Sequence, residues 1–95
     1  MPLFIRLATL TERAVSNIKN LDQMIGDARA IMDKDGAQMK HAWATLGPYD
    51  IIAVIEAPDA DTAARVSAKI AAQGNFRAET LAAVPLAEFV KNVTA

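Results

Sequence analysis

The chain holds one histidine, one tyrosine and one tryptophan. His41, Tyr49, Asp50 and Glu56 are the groups suited to moving a proton. A carboxylate that orients an imidazole makes an acid/base pair, and His41 with Glu56 is the one combination that offers it. The bland alternative is a cross-strand polar pair buried between two subunits. Tyr49 and Asp50 place a hydroxyl and a carboxylate where a pocket mouth would need them; equally, Asp50 accepts turn N–H bonds and Tyr49 packs over a hairpin end. Arg6 and Arg77 read either as anion-binding groups or, with Glu79, as one ion-pair network. Trp43 reads as a stacking platform for a flat ligand or as an interface anchor, and the anchor is the commoner use.

Other chemistry is excluded or unsupported. There is no cysteine, so no disulfide, thiolate nucleophile or thiolate metal site exists. One histidine and scattered carboxylates give no metal-ligand spacing. The four glycines stand alone at 26, 36, 47 and 74, so no loop cradles a phosphate. The expectation is a protein without metal or cofactor. Ten basic and eleven acidic residues are interspersed, with no basic block for nucleic acid or an anionic membrane. The strand at 51–57, IIAVIEA, carries none of the paired aromatics of an RNA-recognition sheet. No apolar run approaches a membrane span, and MPLFIRLATL lacks the layout of a signal peptide. A soluble, cytoplasmic protein is expected.

Ninety-five residues, 53% of them hydrophobic, make one small domain over 1–95. A domain of this size buries a modest share of its surface, so pairing with a second copy is a natural way to complete a core. Residues 3–9 read as a strand. Thr9 and Glu12 have capping-box spacing, and Val15 to Met32 keeps helical periodicity with a bend near Ser16–Asn20. Gly36 ends that helix. Residues 37–46 and 51–57 read as two strands around a tight Gly47-Pro48-Tyr49-Asp50 turn. Asp59 or Asp61 caps a helix closed by Gly74. Residues 75–84 form a fourth strand, and LAEFVKNV a last short helix. The order βαββαβ predicts an α+β, ferredoxin-like sandwich: a four-stranded antiparallel sheet with both main helices on one face.

A two-residue turn at Pro48-Tyr49 sets His41 opposite Glu56 and Trp43 opposite Val54. One hairpin face then carries Met39, His41, Trp43, Ile52, Val54 and Glu56. The small apolar face, with Ala42, Ala44, Leu46, Ile51, Ala53 and Ile55, suits helices. By the same alternation Leu3, Ile5 and Leu7 take the helix side, leaving Phe4, Arg6, Arg77 and Glu79 on the open side. An open face bearing Trp and aliphatic residues needs a second sheet, a ligand, or both.

With Gly47, Tyr49 and Asp50 in place, the chain resembles the GYD-domain family. TLGPYDIIAVIEAPD, MPLFIRLATLT and GNFRAETLAAV match that family's run in kind and order. Pro48 is stiffer than the polar residue expected at its place. The resemblance implies the dimeric α+β barrel group, in which two sheets pack face to face. It implies little about activity. Two expectations follow. One is a homo-oligomeric small-molecule-binding or regulatory domain, with any ligand at the open face near Arg6, His41, Trp43, Tyr49, Asp50, Glu56 and Arg77. The other is a cofactor-free enzyme, a monooxygenase or isomerase, using His41, Glu56 and Tyr49.

Overall fold

The computed structural model describes residues 1–95. Strand β1 (Leu3–Leu10) leads to a short helix α1 (Glu12–Ser16), a 3-10 turn (Ile18–Asn20) and α2 (Leu21–Lys34). Then come β2 (Gln38–Ala44), β3 (Ile51–Glu56), α3 (Ala60–Ala72), β4 (Phe76–Ala83) and α4 (Leu86–Thr94). The strands lie in the order β2-β3-β1-β4, all antiparallel, which is the ferredoxin-like sheet.

Local chemistry accounts for the boundaries. The first cap is Thr11 rather than Thr9, because β1 pairs as far as Leu10 with Phe76. Thr11 accepts from the Ala14 N–H and donates its hydroxyl to the Gly74 carbonyl, so it also ties the start of α1 to the end of α3. The expected bend is present as the 3-10 turn before α2. Asp59 caps α3 by accepting from the Thr62 N–H at 2.8 Å. That bond holds the Asp59 carboxyl below its usual range. Gly36, at φ +84°, closes α2 in the left-handed conformation that glycine adopts without strain. Asp35 then accepts from Lys69 at 2.8 Å and lies 3.6 Å from Arg65, linking the end of α2 to α3.

The core lies between the helices and one face of the sheet. Phe4, Ile55 and Phe76 meet Met24, Ala28 and Met32 of α2 and Val66 and Ile70 of α3. Apolar residues recur on these helices every three or four positions, so a single stripe faces the sheet.

Two expected placements are corrected. First, β1 is turned over: Phe4, Arg6 and Ala8 lie beneath the helices, and Leu3, Ile5 and Leu7 face the open side. Apart from Arg6 and the terminal Thr9 both faces of β1 are apolar, so alternation carried little sign. The pairing decides it, because Arg6 stands opposite Ala53, itself buried under the helices. Second, the hairpin register differs. Ala44 pairs with Ile51, Trp43 with Ile52 and His41 with Val54. The connection is a loop over Thr45–Asp50 rather than a two-residue turn. The ladder is therefore displaced by two residues, which preserves the faces of His41 and Trp43. A bulge between Met39 and His41 then inserts Lys40, moving Met39 to the helix side and setting Gln38 opposite Glu56. Leu46 lies in the loop and is fully exposed.

Candidate functional site

The open face is built by all four strands. Ile5 and Leu7 of β1 and Ile52 and Val54 of β3 form its half-buried centre. His41 and Trp43 stand on one flank. Arg77, Glu79 and Leu81 stand on the other, with Glu79 opposite Leu7 and Arg77 opposite Thr9. Trp43 is 53% exposed and Leu81 50%. Apolar surface rimmed by charge is the kind of face on which binding sites are found.

His41 and Glu56 share this face but do not meet. His41 stacks on Trp43, with ring centroids 5.9 Å apart and planes 20° from parallel. Glu56 lies 4.0 Å from the bulged Lys40 ammonium. The acid/base pair expected from a tight hairpin is therefore absent, because the longer loop moves His41 two residues along the ladder, opposite Val54. Arg6 is absent from the face altogether: it lies under the helices, 5% exposed, so the expected network with Arg77 and Glu79 does not form. No group of three His, Asp or Glu side chains converges to hold a metal. No helix is long and apolar enough to cross a membrane.

Tyr49 and Asp50 act as a clasp. The Asp50 carboxylate accepts from the Leu10 N–H at 2.9 Å, and the Asp50 N–H donates to the Ala8 carbonyl at 2.9 Å. The Thr45 hydroxyl donates to the Tyr49 carbonyl at 2.7 Å, which curls the loop. Gly47 has φ +103°, a conformation strained for any other residue, and this turns the chain back toward β1. Tyr49 is thereby laid across the end of the face, where its hydroxyl donates to the Glu79 carboxylate at 3.1 Å. One loop thus ties β2–β3 to both β1 and β4.

The Tyr49–Glu79 hydrogen bond, with the carboxylate's charge, raises the Tyr49 phenol above its usual value. The folded state favours the neutral phenol. The stabilisation is fully present below the unfolded pKa of about 10 and is lost as pH rises through the folded value. Since Tyr49 is the sole tyrosine, its absorbance reports the contact. Tyrosinate is expected to form at higher pH in the native protein than in the denatured chain, and Glu79→Gln is expected to lower that midpoint. Coincident native and denatured titrations would refute the contact.

Two features escaped the sequence reading. The first is a cavity on the helix side of the sheet, with Arg6 in its wall. The second is the character of α4. Its Leu86, Phe89, Val90 and Val93 form one stripe at helical spacing, and all four are exposed. The i, i+3, i+4, i+7 pattern was readable; that nothing in the same chain covers it was not.

Comparison with known proteins agrees with this architecture. The GYD domain matches residues 4–93. A protein of Thermus thermophilus, named glutamine synthetase and cystathionine beta-lyase binding protein, is 35% identical over 91 residues, covering 95% of this chain and 96% of that protein. Among solved structures, TTHA0845 from Thermus thermophilus superposes with a TM-score of 0.62 at 24% identity, over 90% of this chain and 95% of that one. FFRP-DM1 superposes with a TM-score of 0.60 at 15% identity, over 88% of this chain and all of the other. These two likenesses concern the fold. The clasp of Gly47, Tyr49 and Asp50, set in a ferredoxin-like sheet and matched along nearly the whole chain, makes this protein a member of the GYD-domain family.

Proposed function

We propose that this chain is a non-catalytic binding module: it pairs with a second copy through its open sheet face and, so assembled, docks on a metabolic enzyme. The observation that carries the first part is the apolar centre of Ile5, Leu7, Ile52 and Val54, flanked by Trp43 and Leu81, which one chain leaves uncovered. Burial of apolar surface contributes roughly 25 cal/mol per Å². A second sheet laid on this one supplies that burial across two identical patches, as two-fold pairing requires. The helix α4 presents a second uncovered apolar stripe, Leu86, Phe89, Val90 and Val93. It begins two residues after the exposed Val84, and a nine-residue helix is marginal in water without packing. Its stripe therefore belongs against the second copy.

The second part draws on the Thermus relative, whose name describes binding to two enzymes. A binding role suits a face that lacks an assembled acid/base pair. It also suits a protein whose chemistry-bearing residues, Tyr49 and Asp50, are occupied in holding a loop. Docking on a metabolic enzyme supports a cytoplasmic location. A small ligand on the open face, and catalysis by His41 and Glu56, both lack supporting geometry: the apolar cavity lies on the other side of the sheet.

The test uses purified glutamine synthetase from the same source organism. The native protein is expected to bind it saturably in sedimentation-velocity titrations, with a fixed ratio of chains to enzyme subunits. Absence of a co-sedimenting complex with glutamine synthetase, and equally with cystathionine beta-lyase, would overturn the docking reading.

A further inference from the structure

A charged side chain buried without a counter-ion is costly, and Arg6 is one. It lies in β1 beneath the helices and is 5% exposed. A guanidinium carries five N–H donors. This one makes a single hydrogen bond, from Nη1 to the Ser67 hydroxyl at 3.3 Å. Ser67 is in turn paired with the Thr80 hydroxyl at 3.0 Å. Thr80 stands directly opposite Arg6 across the β1–β4 ladder. One cation and two hydroxyls are therefore gathered where α3 packs on β4. The chain's ion pairs join Lys40 to Glu56 and Arg65 and Lys69 to Asp35, so no carboxylate lies within 4.0 Å of Arg6.

The cluster is open to a ligand. Gln73 Oε1 is the one side-chain polar atom both sealed from solvent and without a partner. The unbonded Arg6 nitrogens therefore keep a path to water. Ser67 and Thr80 are themselves partly exposed. Their neighbours are small. Ala78 and Ala82 flank Thr80 on the same face of β4, and Ala64 and Ala71 lie on the Ser67 side of α3 by helical spacing. All four alanines are exposed, and side chains no larger than a methyl group leave room there for a short aliphatic chain.

From these observations we infer that Arg6, Ser67 and Thr80 form a binding site for a small monocarboxylate between α3 and β4. A guanidinium meets a carboxylate through two parallel N–H···O bonds, stronger than neutral ones. The Ser67–Thr80 hydroxyl pair has a proton to donate as well. Charge sets the ligand class. Arg6 supplies one positive charge; Arg65 and Lys69 of α3 are held by Asp35, and Arg77 of β4 stands on the open face. A single cation neutralises a monoanion and leaves a dianion half unpaired, which is costly away from water. This site is on the opposite side of the sheet from the proposed pairing face, so it stands whether or not the chain dimerises.

The experiment is a titration of the native protein with sodium acetate, against sodium chloride and against sodium phosphate at a pH where phosphate is a dianion, all at equal ionic strength. The signals followed are the backbone amide resonances of Arg6, Ser67 and Thr80. Acetate is expected to shift them saturably, with a dissociation constant of roughly millimolar order for so small a ligand. Chloride and phosphate are expected to give no saturable shift. Arg6→Met, apolar and of similar length, is expected to fold and to bind acetate at least about tenfold more weakly, the factor for one hydrogen bond to a charge. Arg6→Lys keeps the charge without the planar fork and is expected to fall between the two. Acetate shifts no larger than those with chloride would overturn the inference, with no variant required. Equal acetate affinity in the native protein and in Arg6→Met would overturn it as well, and phosphate binding as tightly as acetate would overturn the monocarboxylate assignment.

Discussion

Val54→Asp is expected to abolish the proposed pairing and leave a folded monomer. Val54 lies at the centre of the open face, opposite Ile5 on one side and His41 on the other. In a single chain it is partly exposed. An aspartate there keeps a path to water, so the protomer loses on the order of 1 kcal/mol, the span that separates strand formers from poor ones. In a face-to-face pair the same carboxylate is buried in both copies with no counter-ion. Leaving a charge unpaired in an interface costs about 2–5 kcal/mol, and symmetry imposes it twice. At about 1.4 kcal/mol per tenfold, the dissociation constant should rise by at least roughly a hundredfold. Sedimentation equilibrium and circular dichroism of the variant check both halves. A native-like dimer from Val54→Asp would place the interface elsewhere.

Ile70→Ala is expected to have the opposite signature. Ile70 is 0% exposed, the largest side chain to be fully buried. It joins α3 to the sheet beneath the helices, far in character from the open face. Truncating such a side chain removes its transfer free energy and leaves a void, at a cost of about 2–5 kcal/mol. Small domains are stable by roughly 5–15 kcal/mol in total. For a domain of this size each kcal/mol shifts the melting temperature by about 4–8 °C, so a loss of more than about 10 °C is expected in a thermal melt. Assembly at temperatures where the variant is folded should be unchanged. A melting temperature within about 3 °C of the native value would mean that the helices are not seated on Ile70.

The two variants separate the faces that the sequence alone confused. The element order was legible because each element carried its own punctuation: Gly36 and Gly74 at helix ends, Asp59 at a cap, the β-branched run of 51–57 as a central strand. The face of β1 was not legible. Leu3, Ile5 and Leu7 are as apolar as Phe4 and Ala8, and the rule that charge faces water pointed Arg6 the wrong way. The rule failed because Arg6 lies under the helices, where its guanidinium donates to the Ser67 hydroxyl. The hairpin faces were legible for His41 and Trp43 and not for Met39, because a loop longer than expected preserves parity and the bulge at Lys40 does not. For Tyr49 and Asp50 the sequence offered both a turn role and a place at a pocket mouth, and in the structure they bond to Leu10, Ala8 and Glu79. What they hold, namely Leu10 and Glu79, is distant in sequence and carries no local signal.

The measurement that tests the central claim most directly follows mass and tryptophan emission in one dilution series. Trp43 is the sole tryptophan and lies on the flank of the proposed interface. In the isolated chain it is half exposed. The account predicts twice the 10.2 kDa chain mass at high concentration, with blue-shifted, quencher-protected emission. On dilution to monomer the emission should move to the red along the same binding curve. A mass of 10.2 kDa at every concentration, or a dimer in which Trp43 stays open to quencher, would contradict it.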